Sequence, residues 1–317
     1  MTNGARPLRI GTRGSALAVW QTRHVAEKIA AQPDAPAIEL VTITTQGDAQ
    51  AEIALWKTPG RAFFTAEIDA ALAAGDIDLA VHSLKDLATV LPEGQSLACV
   101  LEREDPADVL AVRPGIDAQA LPRGARIGTS SLRRRAFVAQ WRPDCTVEEL
   151  RGNVPNRLQK LDEGRYDAII LAAAGLRRLG LAARIAYRFD MRRFPPAVAQ
   201  GAIGVTARLD DEATLRWLTP LDHEATRAAV EAERSLLRTL EGGCQVPLGA
   251  LARPADGALH LAAAVGSLDG TRFVRAEASA APQDAVSLGL RVAEMLRERG
   301  VDSILAEAQA RRAGHAP

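Results

Sequence analysis

The stretch "LEGGCQVPLG" (Leu240–Gly249) sets Cys244 directly behind Gly242 and Gly243. Two glycines permit a sharp loop and the close approach of another group to the backbone, so this thiol is a candidate nucleophile. The bland counterpart is a free cysteine in a turn. The other two cysteines, Cys99 and Cys145, fall inside strand-like runs and read as small core residues. An odd count without a CxxC pair predicts no disulfide framework.

Anion chemistry is suggested more broadly. In "GTSSLRRR" (Gly128–Arg135) a strand ends in Gly-Thr-Ser-Ser and a helix opens, offering backbone N–H groups, the Ser131 hydroxyl and the forks of Arg133 and Arg134. "GTRGS" (Gly11–Ser15) repeats the arrangement with Arg13 and Ser15. "LRGNVPNRL" (Leu150–Leu158) adds Arg151 and Arg157 at a third strand-to-helix junction. Each alone reads equally well as a capped helix with a solvated basic face. Together they place anion donors at the carboxyl ends of strands, where open α/β sheets bind ligands. "HSLKD" (His82–Asp86) follows a buried-type strand, which brings Lys85 and Asp86 to the same edge. Asp86 is either a helix cap or salt-bridge partner, or a carboxylate that meets developing positive charge or passes a proton.

These junctions require strands and helices in alternation. "LRIGTR" reads as a strand and the segment from Ser15 as a helix, with Ser15 as N-cap. "IELVTITT" is a β-branched strand, Gln46–Ala62 has no clear period, and a helix from Phe63 to Ala74 precedes the strand "DLAVHS". A second set follows "EREDPAD": strand "RIGT", helix "SSLRRRAFVAQW", strand "CTVEEL", helix "VPNRLQKLDEG" and strand "DAIILAAAG". "FPPAVAQGAIG" marks a crossing between domains. A charged amphipathic helix spans His223–Glu241. The tail has strands split by "ADG" and "LDG" turns, then a helix from Ala285 to Arg299, and forms a small α+β unit.

Composition narrows the function. Over 317 residues, 39 Lys and Arg balance 39 Asp and Glu, yet between Arg123 and Arg193 there are 16 basic against 7 acidic residues. Such a block attracts anions. Lysine occurs only at positions 28, 57, 85 and 160, so arginine is the general basic residue here and no arginine is singled out by type alone. An aromatic content of 4% disfavours base stacking on single strands. No run reaches the roughly 18 apolar residues of a membrane span. Arg6, Arg9 and Arg13, with no apolar stretch between them, predict no secretory signal. The expectation is a cytoplasmic chain of two or three domains. Five histidines in no ligand spacing, and no P-loop or GxGxxG fingerprint, predict neither metal nor nucleotide.

In order along nearly the whole chain, "RIGTRGSALA", "AVHSLKDL", "EREDPAD", "GTSSLRRR", "LRGN", "YDAIILAAAGLRRLG", "PAVAQGA", "LDHEAT" and "ERSLLRTLEGGCQVPLG" resemble the porphobilinogen deaminase (hydroxymethylbilane synthase) family. The resemblance implies an α/β fold of three domains. The first two, 1–103 with 200–219 and 104–199, are lobes like those of type II periplasmic binding proteins. The third, 220–317, is a small α+β domain carrying the cofactor cysteine. It also implies a transferase that condenses four porphobilinogen molecules head to tail onto an enzyme-bound dipyrromethane. Ammonia is lost at each step and hydroxymethylbilane is released by hydrolysis. Cys244 becomes the covalent attachment point and Asp86 the catalytic carboxylate. Arg13, Ser15, Lys85, Ser131, Arg133, Arg134, Arg151, Arg157 and Arg178 become contacts to cofactor and substrate carboxylates, with Lys57 and Arg61 on a lid. Porphobilinogen is the implied partner, with neither nucleic acid nor membrane, and the implied state is a monomer.

Several positions depart from the family pattern: Gln46, Arg61 and Phe63 near the lid, Pro155 and Asn156 before Arg157, and Ala199 where the family carries glycine. A non-catalytic two-lobed binding protein for a small polyanion is the competing reading, and turnover of porphobilinogen separates the two.

Overall fold

The structure, a computed structural model, describes residues 6–49, 65–240 and 246–313. Three sheets organise it. The first is built from β1 (Leu8–Thr12), β2 (Ile38–Thr42), β3 (Leu79–Ser83), β4 (Gln95–Val100) and a late strand, with helices α1 (Ala16–Ala30), α2 (Gln46–Ala49) and α3 (Ala66–Ala74) between them. The second contains β5 (Asp108–Val112), β6 (Arg126–Gly128), β7 (Thr146–Glu148), β8 (Ala168–Ala172) and β9 (Tyr187–Arg188), with α4 (Leu132–Trp141), α5 (Val154–Asp162) and α6 (Ala173–Arg178). The late strand, β10 (Ile203–Arg208), returns to the first sheet and leads into α7 (Glu212–Leu218). The third sheet joins β11 (Leu248–Ala255), β12 (Ala258–Gly266) and β13 (Phe273–Ala280), packed on α8 (Glu224–Thr239), α9 (Ala285–Glu298) and α10 (Val301–Ala313).

The strand orders are β2-β1-β3-β10-β4 and β7-β6-β8-β5-β9. In both, three parallel strands are followed by one antiparallel strand contributed across a crossover. The third sheet is an antiparallel meander. Strands β3 and β8 are continuous apolar runs, buried along nearly their whole length, as strands covered on both faces require.

The expected mixed α/β architecture is therefore present, with three local differences. A short helix, α2, begins inside the segment expected to be aperiodic, where Glu67 Oε1 accepts the Gln46 N–H at 3.0 Å. The run "AAAG" was expected to extend a strand, but β8 stops at Ala172 and α6 starts at Ala173, in keeping with the helix preference of alanine. Helix α10 lies beyond the last predicted element. It buries Val301, Ile304, Leu305 and Ala308 at helical spacing in a charged, alanine-rich stretch.

Two crossovers, 101–107 and 189–202, link the first two sheets and run side by side. Glu104 N–H donates to Gly201 O at 3.1 Å. Gly201 has φ +89°, and a Cβ there would collide with the Glu104 carbonyl, so only glycine fits. Fully buried Glu233 on α8 ties both crossovers to the third sheet. It pairs with Arg103 (2.7 Å) and accepts from the N–H groups of Ala199 (2.7 Å) and Ala252 (2.8 Å). The C-terminal unit thus grips the place where the two halves meet.

Candidate active site

The site grows from strand ends. At the end of β1, Arg13 leads to Ser15, whose Oγ caps α1 by accepting the Ala18 N–H at 3.3 Å. At the end of β6, Ser131 caps α4 by accepting the Arg134 N–H at 3.4 Å, and Ser130 Oγ donates to Leu150 O. Asn153 caps α5, and Pro155 occupies its first turn, where the missing N–H costs nothing. That turn accommodates Pro155 and Asn156, the departures named before Arg157.

Side chains from both halves converge on one cavity. Its lining includes Lys85 from the turn after β3, Arg134 from α4, Arg157 from α5 and Arg178 from α6, with Gln21, Ser83 and Gln200. Arg157 Nε is held by Gly152 O at 2.7 Å, and Arg178 by Gly201 O at 2.7 Å, with its guanidinium 5.8 Å from the Trp20 ring centroid. Lys85 Nζ donates to Gln200 Oε1 at 3.3 Å. Asp86 occupies the one-turn 3₁₀ segment Leu84–Asp86, and its charge favours the protonated forms of Lys85 and Arg157.

The crowding of positive charge shows in the proton affinities. Burial pushes the Lys85 ammonium down to about 8, with Arg134 and Arg157 adding to the effect and Asp86 opposing it. Burial lowers Arg157 to about 10, aided by Arg134 and Arg151, and lowers Arg178 to about 10. These groups are held as partly desolvated cations, a state that an incoming anion stabilises.

Arg133 and Arg134 also share an internal partner, the fully buried Asp108. Arg133 Nη1 lies 2.5 Å from Asp108 Oδ2 and 2.8 Å from Pro195 O. Arg134 reaches Asp108 Oδ1 at 2.7 Å and Ile170 O at 2.8 Å. Burial alone would raise the Asp108 carboxyl, but the Arg133 and Arg134 guanidiniums hold it well below the usual carboxylate range. Arg133 therefore faces the interior behind the cavity, while Arg134 spans from Asp108 to the cavity wall. Arg151 is buried with its Nε unpartnered.

Sequence reasoning missed Asp108, Gln200 and Gln21. Gln21 lies four residues beyond Leu17 on the same face of α1, so helical spacing contained a signal. It is 1% exposed, and its Nε2 has no partner. Gln200 Nε2 donates to Pro106 O (2.8 Å) and Asp108 Oδ1 (3.0 Å), which aims its oxygen at Lys85. Cys244, Lys57, Arg61 and Phe63 lie outside the described residues. Among the described residues no group of His, Cys, Asp and Glu is arranged to hold a metal ion.

A cavity walled by four cations, with one carboxylate beside them and the buried Gln21 amide donor still lacking an acceptor, suits a group bearing several carboxylates. A two-halved α/β protein with a cationic cavity where the halves meet is the class so defined. The family model for "Porphobilinogen deaminase, dipyromethane cofactor binding domain" matches residues 8–216, and that for "Porphobilinogen deaminase, C-terminal domain" matches 227–298. The porphobilinogen deaminase of Desulforudis audaxviator (strain MP104C) is 49% identical over 305 residues, 96% of this chain and 99% of that one. The chain belongs to the porphobilinogen deaminase family. It is accordingly a transferase, and residues 8–216 form its dipyrromethane-binding part. Among solved structures it is similar to the putative periplasmic sulfonate-binding protein of Methylobacillus flagellatus (TM-score 0.39, 15% identity, 76% of this chain and 69% of that one). It is also similar to an arginine-specific periplasmic binding protein of Salmonella typhimurium (TM-score 0.37, 14% identity, 68% and 92%). Family membership rests on the first two comparisons.

Proposed function

We propose that this chain assembles a linear tetrapyrrole by joining four porphobilinogen molecules, one at a time, in the cavity between its first two sheets. The carrying observation is the convergence of Lys85, Arg134, Arg157 and Arg178 on one cavity beside Asp86. Each pyrrole bears an acetate and a propionate, so a growing chain accumulates carboxylates, and guanidinium forks receive them. Arg13, Ser15, Ser131 and Arg151 complete the proposed contacts. Arg133 acts from behind the wall through Asp108 and Arg134. Lys57 and Arg61 belong to the proposed lid.

Dipyrromethane, when bound, supplies the nucleophilic pyrrole carbon to which the first substrate is joined. The chain's residues do the rest. Lys85 and the arginines neutralise and orient carboxylates. Asp86 accepts hydrogen bonds from pyrrole N–H groups and stabilises the cation that develops on a substrate as its ammonia departs. Cys244 is the attachment point. Supporting this choice, burial pushes the Cys99 thiol up to about 12, and the half-buried Cys145 thiol is raised as well, which leaves both poorly suited as nucleophiles.

The reading includes domain limits at 1–103 with 200–219, 104–199 and 220–317, supported by the membership of the three sheets. It also includes a monomeric cytoplasmic enzyme acting on neither nucleic acid nor membrane. Among the described residues no helix is long and apolar enough to cross a membrane. Intact-mass measurement together with porphobilinogen turnover tests the proposal. Wild type, Cys99→Ala and Cys145→Ala should carry a two-pyrrole adduct, and Cys244→Ser should lack it and turn over no substrate. An unmodified wild type that is fully active would overturn the assignment.

A further inference from the structure

We propose that Arg234, on α8 of the C-terminal unit, is a positioning residue that holds the Asp86 turn in its working orientation. This rests on the role given to Asp86 above. The turn is short, and only some of its residues face the cavity. Leu84 and Leu87 are buried in the same apolar core as Val230 and Leu236 of α8. The Leu84 N–H is fixed on Ala202 O at 3.0 Å, and the Leu87 N–H closes the turn on Leu84 O at 3.3 Å. The two carbonyls that follow Asp86 then leave the turn. Arg234 takes both: Nη1 donates to Leu87 O at 3.2 Å and Nη2 to Ala88 O at 2.6 Å.

A planar guanidinium bridging two successive carbonyls sets the direction of the backbone as well as its place, which a single ammonium cannot do. The clamp is anchored at its other end. Adjacent Glu233 joins α8 to both crossovers through Arg103 and the Ala199 N–H. Asp86 therefore inherits its position from a helix outside the two sheets that form the cavity. A carboxylate that meets charge developing only in the transition state is sensitive to small displacements. Loosening the clamp should slow turnover more than it weakens substrate binding.

The experiment combines kinetics with amide hydrogen exchange on the cofactor-loaded enzyme. Arg234→Met should lower kcat about tenfold while KM stays within about twofold, and Arg234→Lys should recover part of the loss. The intact mass should show the adduct retained. Exchange should quicken in peptides covering 84–90 and stay at the wild-type rate across α8. In an Asp86→Asn background, Arg234→Met should cost less than about twofold, because the two residues act through one step. The proposal fails if exchange over 84–90 is unchanged. It also fails if Arg234→Met lowers kcat by the same factor in both backgrounds, or if the loss appears in KM. Asp86→Asn turning over at the wild-type rate would overturn the role of Asp86 instead. Faster exchange at 84–90 would then leave Arg234 as a structural clamp without a positioning role.

Discussion

The Lys85 ammonium stands 3.3 Å from the side-chain oxygen of Gln200, joining the end of β3 to the crossover that returns from the second sheet. Gln200 is held in that orientation by Pro106 and Asp108 on the other side. One neutral amide thus stands between the Lys85 charge and the Arg133–Asp108–Arg134 cluster.

A pH dependence follows. Burial lowers Lys85 to about 8, so kcat/KM for a carboxylate-bearing substrate should fall as pH rises through that value. Lys85→Arg should move this alkaline limb upward by roughly two units, toward the Arg157 and Arg178 values of about 10. Stability runs the other way. The unfolded chain binds this proton more tightly, with an ordinary value of 10.5, so the lysine's contribution to stability rises between about pH 8 and 10.5. Steady-state kinetics and urea melts across that range check both signs.

Asp86→Asn should remain folded and bind anionic substrate, yet turn over roughly a hundredfold to a thousandfold more slowly, the scale of losing one preorganised electrostatic contact to a developing charge. The substitution also removes a carboxylate that favours charged Lys85, so the alkaline limb should shift to lower pH. Turnover within a few-fold of wild type at saturating porphobilinogen would reduce Asp86 to a structural partner.

Asp108→Asn keeps the size of the side chain but leaves two buried guanidiniums without their counter-charge. Breaking such a cluster from one side costs about 3–5 kcal/mol, so the urea midpoint should drop steeply. Arg133→Leu should also destabilise the fold, because Arg133 bonds only inward, to Asp108 and Pro195. A normal urea midpoint with impaired dipyrromethane content in Arg133→Leu would instead mark it as a direct contact.

Ala199 holds a left-handed backbone, φ +58°, with its N–H committed to Glu233. An L-residue with a Cβ is disfavoured there by about 1–2 kcal/mol, and glycine removes that strain while adding chain entropy of about 0.5–1 kcal/mol. Ala199→Gly should therefore be neutral or stabilising by up to about 1 kcal/mol in thermal or urea melts, whereas Ala199→Val should be clearly destabilising.

Much of the site was legible in the order of residue types. Glycine- and serine-rich strand ends followed by arginines announce anion donors, because a helix start and a guanidinium each carry that chemistry locally. The caps by Ser15, Ser131 and Asn153 follow from the same local rules. Helix α10 and the break between β8 and α6 were harder to read, since alanine-rich segments carry little periodic contrast.

Sequence alone determined the three strand-to-helix junctions, the local excess of positive charge and the family motifs, since each is a property of neighbours along the chain. Only the tertiary structure decided which arginines face the cavity. Arg133 and Arg134 are adjacent in sequence and identical in type, yet only Arg134 lines the cavity while both bind Asp108, 25 and 26 residues away. The reason is geometric. Successive residues on a helix point about 100° apart, so the packing of α4 against β5 sends one guanidinium inward and lets the next reach the wall. Glu233 and Arg234 divide in the same way, one toward the crossovers and one toward the Asp86 turn.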